Sequence, residues 1–270
     1  IEPAAEPRRC LVVGAGPAGL AAARMLALRG HAVTVCDRQP QVGGALRLAS
    51  KPPGRFELMD ILNYFMEELA GLNVDMRLNR ALDEDLLRTL APDDVILATG
   101  SLADTPMVKG LYQTDMQVGT ATELLSGTLD PGRRVLVWGG NQAGLVLADD
   151  LATRGKRVAV LHRKPHFAEE MSSNDRYYLR ERLKRGGVEL YKNVHVHSVL
   201  SDGVLFRTGE QTMELRGFEG VVLADTFVSL REAANLMKGH PAGVHFIGDA
   251  RHPRHLMYAI SEGEELGRTL

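Results

Sequence analysis

The sequence VVGAGPAGL, from Val12 to Leu20, carries the strongest indication of the fold. It begins in an apolar run, Cys10 to Val13, and leads through glycines into Pro17 to Leu28, which has the pattern of a helix that stops at Gly30. A second apolar run, His31 to Cys36, follows directly. This order of strand, glycine-rich turn, helix and strand predicts a βαβ unit.

The glycines have the spacing of a dinucleotide-binding turn. Gly14 permits a tight turn, Gly16 lets a pyrophosphate approach backbone N–H groups, and Gly19 lets the helix pack closely on the strand. Asp37 ends the second strand, where a carboxylate accepts hydrogen bonds from a ribose. The alternative is a tight turn without a ligand, with Asp37 as a surface charge. The predicted site comprises Gly14, Gly16, Pro17, Ala18, Gly19 and Asp37.

The chain repeats this unit. The sequence LVWGGNQAGLVLADDLATRGKRVAVLHR, from Leu136 to Arg163, has the same order of elements. It predicts a strand at Arg134 to Trp138, a helix at Gln142 to Ala152 and a strand at Arg157 to Leu161. The fold class is therefore α/β with two nucleotide-binding domains.

Composition excludes several classes of function. The 270 residues carry 32 Lys and Arg against 34 Asp and Glu, a net charge of -2 that disfavours nucleic acid as a partner. No run of 18 apolar residues occurs, so we expect no membrane span. Two distant cysteines, Cys10 and Cys36, exclude an iron–sulfur cluster, a metal knuckle or a redox disulfide within the chain. We expect a cytoplasmic protein without a metal site. We interpret residues 1–9, IEPAAEPRR, as a linker from a longer polypeptide.

Additional motifs support a family resemblance. VVGAGPAGLAAA, Asp37, the Ala98-Thr99-Gly100 and Gly248-Asp249 turns, and above all VGGALRLASKPPGR from Val42 to Arg55, are similar to the C-terminal module of the NADH:flavin oxidoreductases. This family includes 2,4-dienoyl-CoA reductase and trimethylamine dehydrogenase. The resemblance implies a glutathione-reductase-like fold, with the second Rossmann-like domain inserted in the first. The expected bounds are 10–125 with 240–270 for the FAD (or ADP) domain and 126–239 for the NAD(P) domain.

The resemblance also implies roles for residues around the first turn. FAD, or in some members ADP alone, would lie there, with Arg38 on the adenine side of Asp37. Ala45 stands where the family usually has Gln, which keeps ADP alone possible. Asp249 would hydrogen-bond the ribitol or pyrophosphate, and Met257 would offer an N–H near the flavin ring. The further cofactor-binding residues implied are Arg38, Gly44, Leu46, Ala98, Thr99, Gly100, Gly248, Asp249 and Met257.

The second turn departs from the pattern. It reads Gly139-Gly140-Asn141-Gln142, and Asn141 replaces the glycine that lets a pyrophosphate approach, so we expect a narrowed channel. The next strand ends in His162-Arg163-Lys164, whose positive charge suits a 2′-phosphate and favours NADPH over NADH. The alternative is a domain that binds no nucleotide and exposes these charges to solvent.

Together these expectations describe an oxidoreductase module. It would pass hydride from NAD(P)H to FAD and then electrons to a partner, which the resemblance identifies as an N-terminal FMN barrel with an iron–sulfur cluster. The alternative is an ADP-binding structural domain with a vestigial NAD(P) site. No side chain of the chain is assigned as catalytic.

Overall fold

The structure, a computed structural model, describes all residues from 1 to 270. Its strands are β1 (Arg9–Val13), β2 (Ala32–Cys36), β3 (Asp75–Arg77), β4 (Asp94–Leu97), β5 (Ser101–Ala103), β6 (Gln117–Thr120), β7 (Arg134–Trp138), β8 (Arg157–Leu161), β9 (Glu189–Tyr191), β10 (Val194–Leu200), β11 (Gly203–Thr208), β12 (Gln211–Leu215), β13 (Gly220–Leu223), β14 (Phe227–Ser229) and β15 (Gly243–Phe246).

The α-helices are α1 (Pro17–Leu28), α2 (Ala45–Ala49), α3 (Leu58–Ala70), α4 (Glu84–Leu90), α5 (Ala121–Ser126), α6 (Gln142–Thr153), α7 (Ser173–Arg185) and α8 (Leu256–Thr269). Two short 3-10 helices span Glu232–Met237 and Gly248–Ala250. No helix is both long and apolar enough to cross a membrane.

The chain divides into two units, the first made of residues 1–102 and 227–270. Its sheet is parallel with the order β15-β4-β1-β2-β3. Alternate residues of β1 point to opposite faces, so Val12 joins the core under α1 and α3 while Leu11 joins the core under α4. Both faces are covered, which is why these strands are continuous apolar runs rather than alternating ones.

Small residues let α8 pack directly on α1. A Cβ built on Gly263 would overlap the backbone of Ala18, and one built on Gly267 would lie 2.6 Å from the Cβ of Met25. Because the last helix sits this close, the chain's C-terminal segment returns to the helix that follows the first glycine-rich turn. This return brings the Gly248-Asp249 turn to the same edge of the sheet.

The second unit comprises residues 103–226. Its parallel sheet has the order β6-β13-β7-β8-β9, with α5, α6 and α7 packed on one face. An antiparallel sheet, β10-β11-β12, covers the other face through Phe206 and Val204, which pack with Leu136 and Leu161. The two βαβ units therefore occupy equivalent places in two separate sheets.

The unit boundaries differ from the predicted ones. Residues 103–125 belong to the second unit rather than the first, because β6 pairs with β13. Residues 227–239 belong to the first unit rather than the second, because Met237 packs with Leu11 and Leu97. Both differences arise from partners far away in the sequence.

The predicted linker also ends earlier than expected. Arg9 is the first residue of β1 and lies opposite Ala32 in the sheet. Arg8 donates its backbone N–H to Nδ1 of His31 (3.1 Å) and forms an ion pair with the buried Asp94 (2.9 Å). Arg8 and Arg9 are thus part of the folded unit.

Candidate functional site: the two glycine-rich turns

Two glycines of the first turn are required by packing. Gly14 has a φ of +111°, and a Cβ there would overlap the carbonyl oxygen of Ala98. A Cβ on Gly19 would overlap the carbonyl oxygen of Gly14. These two positions let β1, α1 and the end of β4 approach closely, as the sequence predicts, and they explain why Ala98 lies beside the turn.

Gly16 is different, because its backbone is ordinary and its surroundings are open. Its φ is -79°, and a Cβ built there meets nothing within 4 Å. It is the N-cap of α1, whose first turn carries no acidic residue and whose N-terminus no side chain caps. The positive end of a helix thus faces an open space that a side chain at position 16 would enter, and this arrangement suits a pyrophosphate.

Asp37 lies against the same turn. One carboxylate oxygen accepts the N–H of Ala15 (2.7 Å) and the other accepts the N–H of Gln39 (2.8 Å). These bonds hold the carboxylate at the edge of the turn, and it is only partly buried, so it can also accept ribose hydroxyls. The neighbouring Arg38 is exposed.

The Gly43-Gly44 segment borders the open space. Gly43 donates its N–H to the carbonyl of Ala15 (2.7 Å), and a Cβ on Gly44 would lie 3.5 Å from the Cα of Gly16. Leu46, however, is only 5% exposed and belongs to the core, and its N–H bonds to Gly43. Its side chain therefore anchors the segment rather than lining the space.

The Thr99-Gly100 turn follows β4 at the same edge. Thr99 donates its hydroxyl to the carbonyl of Leu230, and Gly100 accepts the N–H of Leu230 (2.9 Å). These bonds hold the turn in place after Ala98, the residue that contacts Gly14.

The Gly248-Asp249 turn completes this edge. A Cβ on Gly248, whose φ is +60°, would lie 2.7 Å from the Cβ of Ala18. The Asp249 carboxylate accepts the hydroxyl of Ser101 (2.8 Å) and the N–H of Arg254 (3.1 Å), so both of its oxygens already have an internal partner. Met257 is the second residue of α8, with its side chain 76% exposed. No side chain caps the N-terminus of α8, so an anion can approach there.

The second turn has the same backbone frame. Gly139 has a φ of +136°, and a Cβ there would overlap the backbone of Ala224. A Cβ on Gly144 would overlap the carbonyl oxygen of Gly139, just as a Cβ on Gly19 would overlap the carbonyl oxygen of Gly14. Packing therefore requires glycine at matching positions of both turns.

Asn141 takes a role other than the predicted narrowing of a channel. Its side-chain oxygen accepts the N–H of Gly144 (2.9 Å), which caps α6. Its amide nitrogen donates to the carbonyls of Ala224 (2.8 Å) and Asp225 (2.9 Å), which follow β13. The side chain is thus turned inward, where it joins the turn to the neighbouring strand.

Residues 166–170 fold back over this turn. Ala168 donates its N–H to the carbonyl of Gly140 (2.8 Å), and the ring of Phe167 stacks on that of His162 with centroids 5.2 Å apart. A Cβ on Gly140 would lie 2.5 Å from Phe167. The Glu170 carboxylate accepts the N–H of Gln142, the first residue of α6.

His162 does not supply the positive charge that the sequence analysis expects of it. It is 4% exposed, and burial lowers its pKa from the ordinary value of 6.5. Its Nδ1 accepts the N–H of Gly140 (3.1 Å), so the proton of the neutral ring lies on Nε2, which faces the carbonyl of His166 (3.0 Å). The residue braces the turn as a neutral group, in the place that Asp37 occupies in the first unit.

Arg163 and Lys164 remain as the cations after β8. Both are exposed, and Arg163 forms an ion pair with Asp225 (3.1 Å). Sequence reasoning missed Asp225, Phe167 and Glu170 as neighbours of the turn. Their positions depend on how the chain folds back, and no motif in the sequence marks them.

The two cysteines are unreactive. Cys10 and Cys36 are buried free thiols, and burial raises the pKa of each to about 12. They form no disulfide with each other.

A family model described as pyridine nucleotide-disulphide oxidoreductase matches residues 8–228, which include both turns. The chain belongs to this family. It is accordingly a domain of an oxidoreductase family, and the match confirms the predicted α/β class. A thioredoxin reductase from T. acidophilum has the same fold, with a TM-score of 0.70 at 18% identity, covering 98% of this chain and 97% of that one.

Relatives confirm the predicted resemblance to the NADH:flavin oxidoreductases. The chain is 29% identical to an NADH oxidase of Thermoanaerobacter brockii over 97% of its own length and 41% of that protein. A solved 2-naphthoyl-CoA reductase matches all of this chain with a TM-score of 0.92 and 28% identity, over 41% of its own chain. The chain therefore spans less than half of the length of each of these two relatives.

Proposed function

We propose that the chain binds FAD at the first turn, takes hydride from NAD(P)H at the second unit, and passes electrons to a partner domain that carries FMN and an iron–sulfur cluster. Flavin supplies the chemistry of hydride acceptance and electron transfer, and the protein supplies binding and orientation. The observation that carries the proposal is the open, uncapped N-terminus of α1 at Gly16.

The residues around Gly16 would contact different parts of the cofactor. The N-terminus of α1 attracts the pyrophosphate, and Asp37 accepts hydrogen bonds from the adenosine ribose. The glycine at 44 leaves the neighbouring space free of a side chain. Asp249 and the N-terminus of α8 would serve the flavin half of FAD, which ADP alone would not need.

The second unit would receive NADPH in preference to NADH. With His162 neutral, the preference rests on Arg163 and Lys164, which are exposed at the end of β8. Arg163 would exchange its ion pair with Asp225 for a bidentate contact to the 2′-phosphate.

The partner is proposed from the family resemblance and from the lengths of the relatives. The NADH oxidase and the 2-naphthoyl-CoA reductase each extend well beyond the matched region. An N-terminal FMN barrel in a longer polypeptide would accept the electrons, and an enoyl thioester, an enone or an N-methylated amine would react there.

A structural role is the second candidate, because one observation favours it. Asn141 and Glu170 occupy N–H groups at the N-terminus of α6 that a nucleotide would use. In this alternative ADP lies at the first turn and the second unit binds no nucleotide.

Two measurements separate the candidates. The purified chain should be yellow and release FAD on denaturation, whereas a colourless chain that releases only ADP would support the structural role. The FAD-loaded chain should oxidise NADPH with a dye as acceptor, and it should reduce no member of a panel of enones and enoyl thioesters. Steady reduction of any panel member without an added partner would contradict the proposed electron path.

A further inference from the structure

The two turns differ most at the first residue of the following helix. In α1 this residue is Pro17, which has no N–H, and no acidic side chain lies in the first turn. In α6 it is Gln142, whose N–H donates to the carboxylate of Glu170. A negative charge from the chain itself thus lies at the positive end of α6, where a pyrophosphate would be attracted.

Glu170 is placed there by its own segment. Ala168, which has a left-handed φ of 42°, bonds through its N–H to the carbonyl of Gly140 (2.8 Å). Phe167 stacks on the buried ring of His162, and that ring is bonded to Gly140 in turn. Residues 166–170 are thus joined to the turn directly through Ala168 and indirectly through Phe167 and His162, and these contacts set the position from which Glu170 reaches Gln142.

We propose that Glu170 is an affinity-determining residue that competes, as an internal anion, with the pyrophosphate of a pyridine nucleotide for the N-terminus of α6. The inference rests on the proposed function of the second unit. Binding of NADPH requires the carboxylate to leave Gln142, so part of the interaction between helix and pyrophosphate is offset by the loss of the internal bond. The 2′-phosphate, held by Arg163 and Lys164, does not take part in this competition.

The neighbouring Glu169 offers a matched control. It is also exposed and carries the same charge, but no hydrogen bond or ion pair joins it to the turn. Glu170→Gln and Glu169→Gln change the net charge identically, so a difference between them reports the position of the carboxylate rather than the total charge.

The test measures binding of NADPH and of 2′-AMP to the FAD-loaded chain by calorimetry, for the unmodified protein and both variants. We expect Glu170→Gln to tighten NADPH binding about tenfold, or about 1.4 kcal/mol, since the variant removes the anion that competes for the helix N-terminus. Glu169→Gln should leave NADPH binding unchanged. Neither variant should alter binding of 2′-AMP, which has no 5′-pyrophosphate.

The outcomes distinguish this inference from the proposed function. If all three proteins bind NADPH with equal affinity, Glu170 is not a competitor and the nucleotide site stands. If none binds NADPH or 2′-AMP, both the inference and the nucleotide site of the second unit are wrong. Equal tightening in both variants would attribute the effect to net charge and would also overturn the inference. Thermal unfolding of each variant, and Glu170→Ala as a second substitution, control for a disturbed segment.

Discussion

The two glycine-rich turns of this chain share a backbone and differ in what occupies their helix N-termini. Gly14 and Gly139 have left-handed φ values, and Gly19 and Gly144 pack against them in the same way. Around Gly16 the helix end is open, whereas Asn141 and Glu170 satisfy N–H groups of α6. A fingerprint of glycines therefore specifies the turn, while the neighbouring side chains decide whether an anion can reach it.

The residue that follows the second strand of each βαβ unit also has a shared role and a role that differs between the units. Asp37 accepts the N–H of Ala15, and His162 accepts the N–H of Gly140. Each braces its turn through one hydrogen bond. The carboxylate keeps further lone pairs for a ligand, whereas the neutral imidazole has its other nitrogen at the carbonyl of His166. The bracing function is common to both units, whereas only the proposed role of Asp37 includes a contact to a ligand.

The largest expected effect is a loss of stability, and it tests whether the two glycine-rich turns share one backbone geometry. Gly19→Ala and Gly144→Ala each place a Cβ on a carbonyl oxygen of the preceding turn, so each should lower the free energy of unfolding by about 3 kcal/mol. Urea denaturation of both variants measures this. Gly16→Ala is the control and should cost about 1 kcal/mol or less, because its Cβ meets nothing. If either Gly19→Ala or Gly144→Ala were tolerated, the two turns would not share one frame.

The next effect concerns ligand binding at the open turn. Gly16→Val should lower affinity for both FAD and ADP by roughly a hundredfold, or about 2.8 kcal/mol, because the side chain would fill the pyrophosphate position. Fluorescence titration of FAD measures the loss. Gly71→Val is a suitable control, since Gly71 has nearly the same φ, -78°, and lies at the end of α3. Full retention of FAD and ADP affinity by Gly16→Val would remove the first turn from the cofactor site.

The parts of the fold that were predicted correctly have local causes. The bounds of α1, β7 and β8 match the predicted ones, because an apolar run, glycines and a helix-stopping Gly30 or Gly155 lie within about 30 residues of one another. By contrast, α7 was not predicted. Only Leu179 and Leu183 of its 13 residues are buried, so it has no broad apolar stripe to mark it.

The parts that were missed depend on distant contacts. Pairing of β6 with β13 moves residues 103–125 into the second unit, and no local pattern marks that pairing. The charge of His162 could not be predicted either, since its residue type permits both states and burial decides between them. The contact of Glu170 with Gln142 joins residues 28 positions apart through a fold-back of the chain. Sequence motifs thus predict the backbone geometry of a glycine-rich turn better than they predict which side chains occupy the N–H groups of the helix that follows it.

A smaller effect on nucleotide affinity should show whether Arg163 recognises the 2′-phosphate specifically or acts only through its charge. Arg163→Ala should weaken NADPH binding about tenfold and leave NADH almost unchanged, because a charge-assisted contact to phosphate contributes about 1.5–3 kcal/mol. Arg157→Ala, at the opposite end of the same strand, should change neither affinity. Titration of both nucleotides on the FAD-loaded chain measures this. Equal losses for NADPH and NADH in Arg163→Ala would contradict recognition of the 2′-phosphate.

The smallest expected effect is a pH dependence that both units share through buried neutral histidines. Burial lowers the pKa of His162 in the second unit, and burial together with Arg29 and Arg8 lowers that of His31 in the first. In each case Nδ1 accepts a backbone N–H, from Gly140 or Arg8, and must stay unprotonated to do so. Below the ordinary pKa of 6.5 the unfolded chain then binds more protons than the folded chain, so stability is complete above this pH and falls as the pH falls through it.

Asparagine variants make this pH dependence measurable in each unit. His162→Asn and His31→Asn keep a side-chain acceptor for the backbone N–H but cannot be protonated. The free energy of unfolding should therefore fall less between about pH 7.5 and about pH 5 in each variant than in the unmodified chain. His195→Asn, at an exposed position on β10, is the matched control and should keep the original slope. A slope unchanged in His162→Asn would mean that the ring is protonated in the folded state. Gly140 would then have lost its acceptor, and the second turn would be held by its remaining bonds, among them those of Asn141 and Ala168.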